Sequence, residues 1–246
     1  MQQRKRTAQS PAGAAAKVKF WYFMRPLASA RLIPLYGDLT DMNKAALILG
    51  LALAGLLAGP VATAAGDPEA GRNKAETCFG CHGIPNYTNI YPTYNVPKIG
   101  GQHAERIIAA LQAYQSGARQ HPTMSAQAAS LSRQDIEDIA AYLATFDGGD
   151  AEPSRGGDVA AGKEKAQTCA GCHGADGQSP NPMYPVLSSQ YADYIVQALR
   201  GYKTGQRKDP IMTSLAAPLT DQDMKDLAAW FASQKRGVTV LNNDSR

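Results

Sequence analysis

The sequence predicts an all-α protein built from two tandem copies of one small helical domain. Three observations carry this. A motif-bearing segment recurs once along the chain; the apolar residues between the motifs fall at helical spacing; and no stretch between them alternates in the manner of a strand. GDPEAGRNKAETCFGCHG, from Gly66, lies over GDVAAGKEKAQTCAGCHG, from Gly157, so Cys169 follows Cys78 by 91 positions. Beyond the middle loop the spacing falls to 88, which pairs Gln102 with Gln190, Tyr114 with Tyr202, Arg119 with Arg207 and Met124 with Met212. The first copy thus carries three extra residues in that loop.

Each element has a local reason. Ile107, Ile108, Leu111 and Tyr114 share one helical face, as do Ile195, Val196, Leu199 and Tyr202. The last helix of each copy opens on a capping box, Ser132 with Asp135 and Thr220 with Asp223. Leu131 with Ile136, and Leu219 with Met224, are spaced for a hydrophobic staple across that cap. The copies span 66–149 and 157–246. Between them the Gly-rich, charged stretch DGGDAEPSRGG at 147–157 lacks apolar periodicity, and its middle, 150–156, reads as a linker. Copies of this size have marginal polypeptide cores, so a large apolar cofactor in each would complete them.

The front of the chain reads as targeting sequence. Lys44 precedes the apolar run AALILGLALAGLLA, and small residues follow through Ala64 and Ala65. A short positive segment, an apolar stretch of about 7–15 residues and a small-residue end mark a secretory signal peptide. Residues 42–65 are therefore expected to be removed by cleavage near Ala64 or Ala65, placing the mature protein in the periplasm. Residues 1–41 fit neither signal nor domain and are read as an upstream extension outside the mature protein. The formal charge of +4 belongs to this front end. Residues 1–65 hold eight basic and two acidic residues, residues 66–150 hold six and nine, and residues 151–246 hold eleven and ten. A nucleic-acid partner therefore has little support, whereas loose association with a membrane surface stays compatible with the sequence.

All four cysteines lie in two CxxCH motifs, Cys78, Cys81 and His82, then Cys169, Cys172 and His173. Two thiols three residues apart can each form a thioether with one haem vinyl, and the adjacent histidine is then held beneath the iron. A redox CxxC pair leaves the histidines unused, and a structural zinc site would need four ligands drawn from two such halves. Two covalently bound haem c groups are the expectation. For the sixth ligand, Met124 is the only methionine in 66–149, and Met212 is its repeat partner. His173 is the only histidine of the second copy, which rules out bis-histidine ligation there within the chain. Met183 and Met224 are weaker rivals, and His103 and His121 remain alternatives in the first copy; Met124 and Met212 are placed in a loop between two helices. Around the irons, the stretches at Pro97 and Pro185 could present a carbonyl to the histidine Nδ1 or simply break a loop. Arg119 and Arg207, with Tyr114 and Tyr202, are candidates for binding haem propionates; a solvated arginine beside a packed tyrosine is the plainer alternative.

Taken together, CFGCH and CAGCH, the loops GARQHPTM and GQRKDPIM, and LSRQDIEDIAAYLA with LTDQDMKDLAAWFA resemble the cytochrome c4 family, the dihaem group of class I c-type cytochromes, over about residues 66–235. Gly100-Gly101-Gln102 and Ser188-Ser189-Gln190 match its second-helix opening, with serines replacing the glycines in the second copy. The resemblance implies two class I cytochrome c domains, each wrapped around one covalent haem, with His82 and Met124 on the first iron and His173 and Met212 on the second. It implies an electron carrier, not an enzyme, between a quinol-oxidising complex and a terminal oxidase in the respiratory chain. The cytochrome subunit of a larger dehydrogenase, such as a flavocytochrome, is the alternative. A dihaem peroxidase is disfavoured, because it needs an exchangeable iron position.

Overall fold

Ten α-helices and one 3-10 turn, Ala166–Thr168, account for the regular structure among the described residues, 66–242, of a computed structural model of the chain. The signal peptide and upstream extension expected at 1–65 lie outside those residues. In the first copy they are α1 (Pro68–Lys74), α2 (Glu76–His82), α3 (Ala104–Gln115), α4 (Pro122–Ala129) and α5 (Arg133–Leu143). In the second they are α6 (Val159–Lys165), the short α7 (Ala170–His173), α8 (Ala192–Lys203), α9 (Pro210–Ala216) and α10 (Asp221–Ala232). Among the described residues only isolated β-bridges occur, and no helix is long and apolar enough to cross a membrane.

In each copy the first helix crosses the last, α1 on α5 and α6 on α10, and the middle helix packs beside it. The crossing needs a glycine. A Cβ at Gly71 would stand 1.9 Å from the Asp138 carbonyl oxygen, and one at Gly162 the same 1.9 Å from that of Asp226. An aspartate locks each crossing. Asp138 accepts from the Asp67 amide (2.8 Å) and pairs with Lys74 (2.5 Å), while Asp226 accepts from the Asp158 amide (2.9 Å) and pairs with Lys165 (2.6 Å). Both capping boxes are formed, at Ser132–Asp135 and Thr220–Asp223.

Ile136, Ile139 and Leu143 of α5 centre the first core, and Leu227, Ala228 and Phe231 of α10 centre the second. One residue breaks this division by sequence. Leu241, at the end of the stretch assigned to the second domain (157–246), is 1% exposed inside the first core. The chain after α10 turns back across the first copy: the Gly149 amide donates to Gly237 O, the Arg236 amide donates to Gly149 O, Thr239 and Gly100 exchange a pair of backbone bonds, and the Leu241 amide donates to the His82 carbonyl at 3.0 Å. The linker is also held, since the Glu152 amide donates to Ala232 O at 2.7 Å and its carboxylate meets Lys98 at 2.6 Å. The described residues accordingly belong to one compact unit.

Candidate haem-attachment sites

Cys78, Cys81 and His82 lie on α2 and end it, whereas in the second copy Cys172 and His173 end α7 and Cys169 is its N-cap. All four cysteine side chains are half-buried, and none is paired in a disulfide. Burial pushes the Cys78 and Cys169 thiols above the usual value. His82 is 9% and His173 7% exposed. His82 Nδ1 donates to the Pro97 carbonyl at 2.7 Å, and His173 Nδ1 donates to the Pro185 carbonyl at 3.0 Å. A carbonyl only accepts, so the proton is on Nδ1 and the Nε2 lone pair is free for a metal. Burial, against the opposing carbonyl, draws both imidazoles toward the neutral, ligating form.

Met124 and Met212 are not in a loop. Each occupies the first turn of a short helix, α4 or α9, with proline at the first helical position. Asp209 caps α9 by accepting from the Met212 amide at 2.9 Å, and His121 Nδ1 does the same for the Met124 amide at 3.3 Å. His121 therefore plays the part of its repeat partner Asp209. His103 is engaged elsewhere, its Nε2 donating to the Ser179 carbonyl at 3.0 Å. Met224 is 1% exposed in the core, whereas Met183 is 60% exposed.

Arg119 and Arg207 meet. Their segments pair in an antiparallel bridge, with the Gln120 amide donating to Gln206 O (3.2 Å) and the Lys208 amide to Ala118 O (2.8 Å). The Arg119 guanidinium lies 4.6 Å over the Tyr114 ring and that of Arg207 lies 5.7 Å over the Tyr202 ring. Both donate to the Tyr194 hydroxyl, at 2.7 and 3.2 Å. Burial alone would raise that hydroxyl's pKa, but the two cations outweigh it and draw it down. Among the described residues, Nε of Arg119 and Nε of Arg106 are buried without a hydrogen-bond partner. Orphaned guanidinium nitrogens beside buried histidines fit the carboxylates of a haem, and the paired cysteines of each motif fit its vinyl groups.

Several functional positions have no sequence signal of their own. Tyr194 aligns with Arg106, so the seam at this point breaks the repeat. Gln102 and Gln190 do recur, yet their partners lie in the opposite copy and no spacing within a copy reveals them.

A family model described as Cytochrome c matches residues 69–147 and again 159–235. Cytochrome c4 of Thiocapsa roseopersicina is 43% identical over 183 residues, covering 68% of this chain and 92% of that protein. Cytochrome c4 of Pseudomonas aeruginosa is 49% identical over 86 residues, 35% of this chain, and there the match spans only 43% of the relative's length. The crystal structure of reduced recombinant cytochrome c4 from Pseudomonas stutzeri superposes with a TM-score of 0.59 at 28% identity, covering 69% of this chain and all of that one. Two haem-attachment motifs, two matches to one family model and a likeness that spans the whole of a solved cytochrome c4 agree: the chain belongs to the cytochrome c family, as a dihaem electron carrier of the cytochrome c4 type with two covalently bound haem c groups.

Proposed function

We propose that this carrier works in the periplasm, after removal of a leader ending near Ala64 or Ala65, and moves single electrons from a quinol-oxidising complex to a terminal oxidase. When bound, each haem iron supplies a one-electron couple. The chain supplies His82 and Met124 to the first iron and His173 and Met212 to the second. Support for the methionines comes from their matched places at the starts of α4 and α9, and from the rivals in the second copy, where Met224 is packed in the core and Met183 stands out in solvent. An iron held by both residues of its pair would have no exchangeable position, which argues against a peroxidase.

The observation that carries the reading is the joining of the two segments that lead into the methionine-bearing helices. Arg119 and Arg207 join the two copies at one polar seam on Tyr194, which supports a carrier whose two haem-bearing copies act together. The copies also differ in charge, net −3 over 66–150 and +1 over 151–246, which gives donor and acceptor different fields to follow.

Reconstitution tests this. Membranes containing a quinol-oxidising complex and a terminal oxidase, stripped of soluble cytochromes, should regain quinol-dependent oxygen uptake when the purified protein is added, less so as salt rises. Oxygen uptake that ignores the protein would refute these partners, and a flavoprotein that stays bound through purification would favour the dehydrogenase subunit instead.

A further inference from the structure

Gln102 and Gln190 form a reciprocal clamp between the copies. Gln190 Oε1 accepts from the Lys98 amide at 3.0 Å, and its Nε2 donates to the Lys98 carbonyl at 2.9 Å. Gln102 Oε1 accepts from the Val186 amide at 2.9 Å, and its Nε2 donates to the Val186 carbonyl at 3.0 Å. The amide of Lys98 and the carbonyl of Pro97 are two ends of one peptide group, and so are the amide of Val186 and the carbonyl of Pro185. Each glutamine therefore grips, from across the interface, the peptide whose oxygen takes the haem histidine's proton.

We infer that Gln190 positions and polarises the acceptor of His82, and Gln102 that of His173, so that each copy sets the redox potential of the haem in the other. The chain of bonds runs from glutamine oxygen to peptide N–H, through the peptide to its carbonyl, and on to the imidazole Nδ1–H. A peptide whose N–H is bonded carries more negative charge on its oxygen, because hydrogen bonds in series polarise one another. A stronger acceptor at Nδ1 makes the imidazole a better donor to iron, which favours the ferric state. Burial adds to the effect: Gln190 and Lys98 are each 5% exposed, so little water competes for these bonds. The glutamines touch neither iron nor haem ligand and act only through the peptide; they are positioning residues.

The inference rests on His82 and His173 as the ligating imidazoles. The test is a redox titration of the full haem-loaded protein followed by proton NMR, with each haem's signals assigned through contacts to sequence-assigned neighbours. Gln190→Met keeps the bulk and removes both bonds. It should shift the first haem's oxidation equilibrium about threefold toward the ferrous state, about 28 mV for a one-electron couple, and leave the second haem unmoved. The His82 Nδ1 proton should exchange faster. Gln102→Met should reverse the pattern, moving the second haem alone. Gln190→Glu retains an acceptor for the Lys98 amide, with added charge, and should shift the first haem the opposite way from Gln190→Met. Potentials unmoved by any variant, moved equally in both haems, or moved only in the substituted copy would overturn the inference. Incorrect histidine ligation would show separately, as a wild-type spectrum lacking histidine–iron signals.

Discussion

The Arg119 guanidinium donates to the hydroxyl of Tyr194 at 2.7 Å, across a repeat boundary and onto a position that the first copy fills with arginine. Arg207 shares the same oxygen at 3.2 Å. Replacing Tyr194 by phenylalanine leaves two neighbouring cations without that acceptor. The cost should be about 1–3 kcal/mol of stability, measured by denaturant unfolding, with Arg119→Met costing no more than this when combined with the tyrosine change.

Replacing Met124 or Met212 separately should alter one haem each. The expected outcome is loss of half the methionine–iron charge-transfer absorbance in the ferric spectrum and a lowered potential for that haem alone, since thioether sulfur raises the potential. A variant that leaves both spectra intact would remove its methionine from the ligand set.

Stability should fall steeply in acid. Lys74 and the Ser132 cap hold the Asp135 carboxyl down to about 2, and Lys165 with Thr220 depresses Asp223 in the same way. An unfolded aspartate titrates near 3.9. The contribution is thus complete above about pH 4 and is lost as pH falls through the folded value. Lys74→Met should move the onset of acid unfolding upward in pH, followed by the loss of haem absorbance and helical signal.

Leu241→Ala should loosen the first copy and spare the second. The side chain is 1% exposed in the first core, and truncating such a leucine costs about 2–5 kcal/mol. Hydrogen exchange should quicken at Ile136, Ile139 and Leu143 while Leu227, Ala228 and Phe231 stay protected.

Gly71→Ala or Gly162→Ala should disrupt the helix crossing of one copy. The added methyl meets a backbone carbonyl at 1.9 Å, which no rotamer change relieves, so the helices must part. Loss of haem incorporation at the affected motif is the readout.

Much of this architecture was legible because it is local. The capping boxes at Ser132 and Thr220, the apolar faces of α3 and α8 and the CxxCH motifs each depend on residues a turn apart. The starts of α4 and α9 were half-legible: Asp209-Pro210 is a readable cap, but a histidine doing the same at His121-Pro122 is not. What escaped depends on distance. Leu241 is a lone apolar residue in a polar tail, Tyr194 faces two arginines from different copies, and Gln102 answers to Val186 rather than to anything beside it. Duplication advertises what each copy does for itself and conceals what it does for its twin.

The returning C-terminal strap has a consequence for how the protein is made. The half that is synthesised first depends on Leu241, Thr239 and Gly237 to close its core and to bond the backbone of its haem histidine. Completion of the first copy's core therefore waits on the C-terminal stretch. The earliest part of the chain to emerge is the last to be finished, and a message cut short by a dozen codons would damage the wrong end.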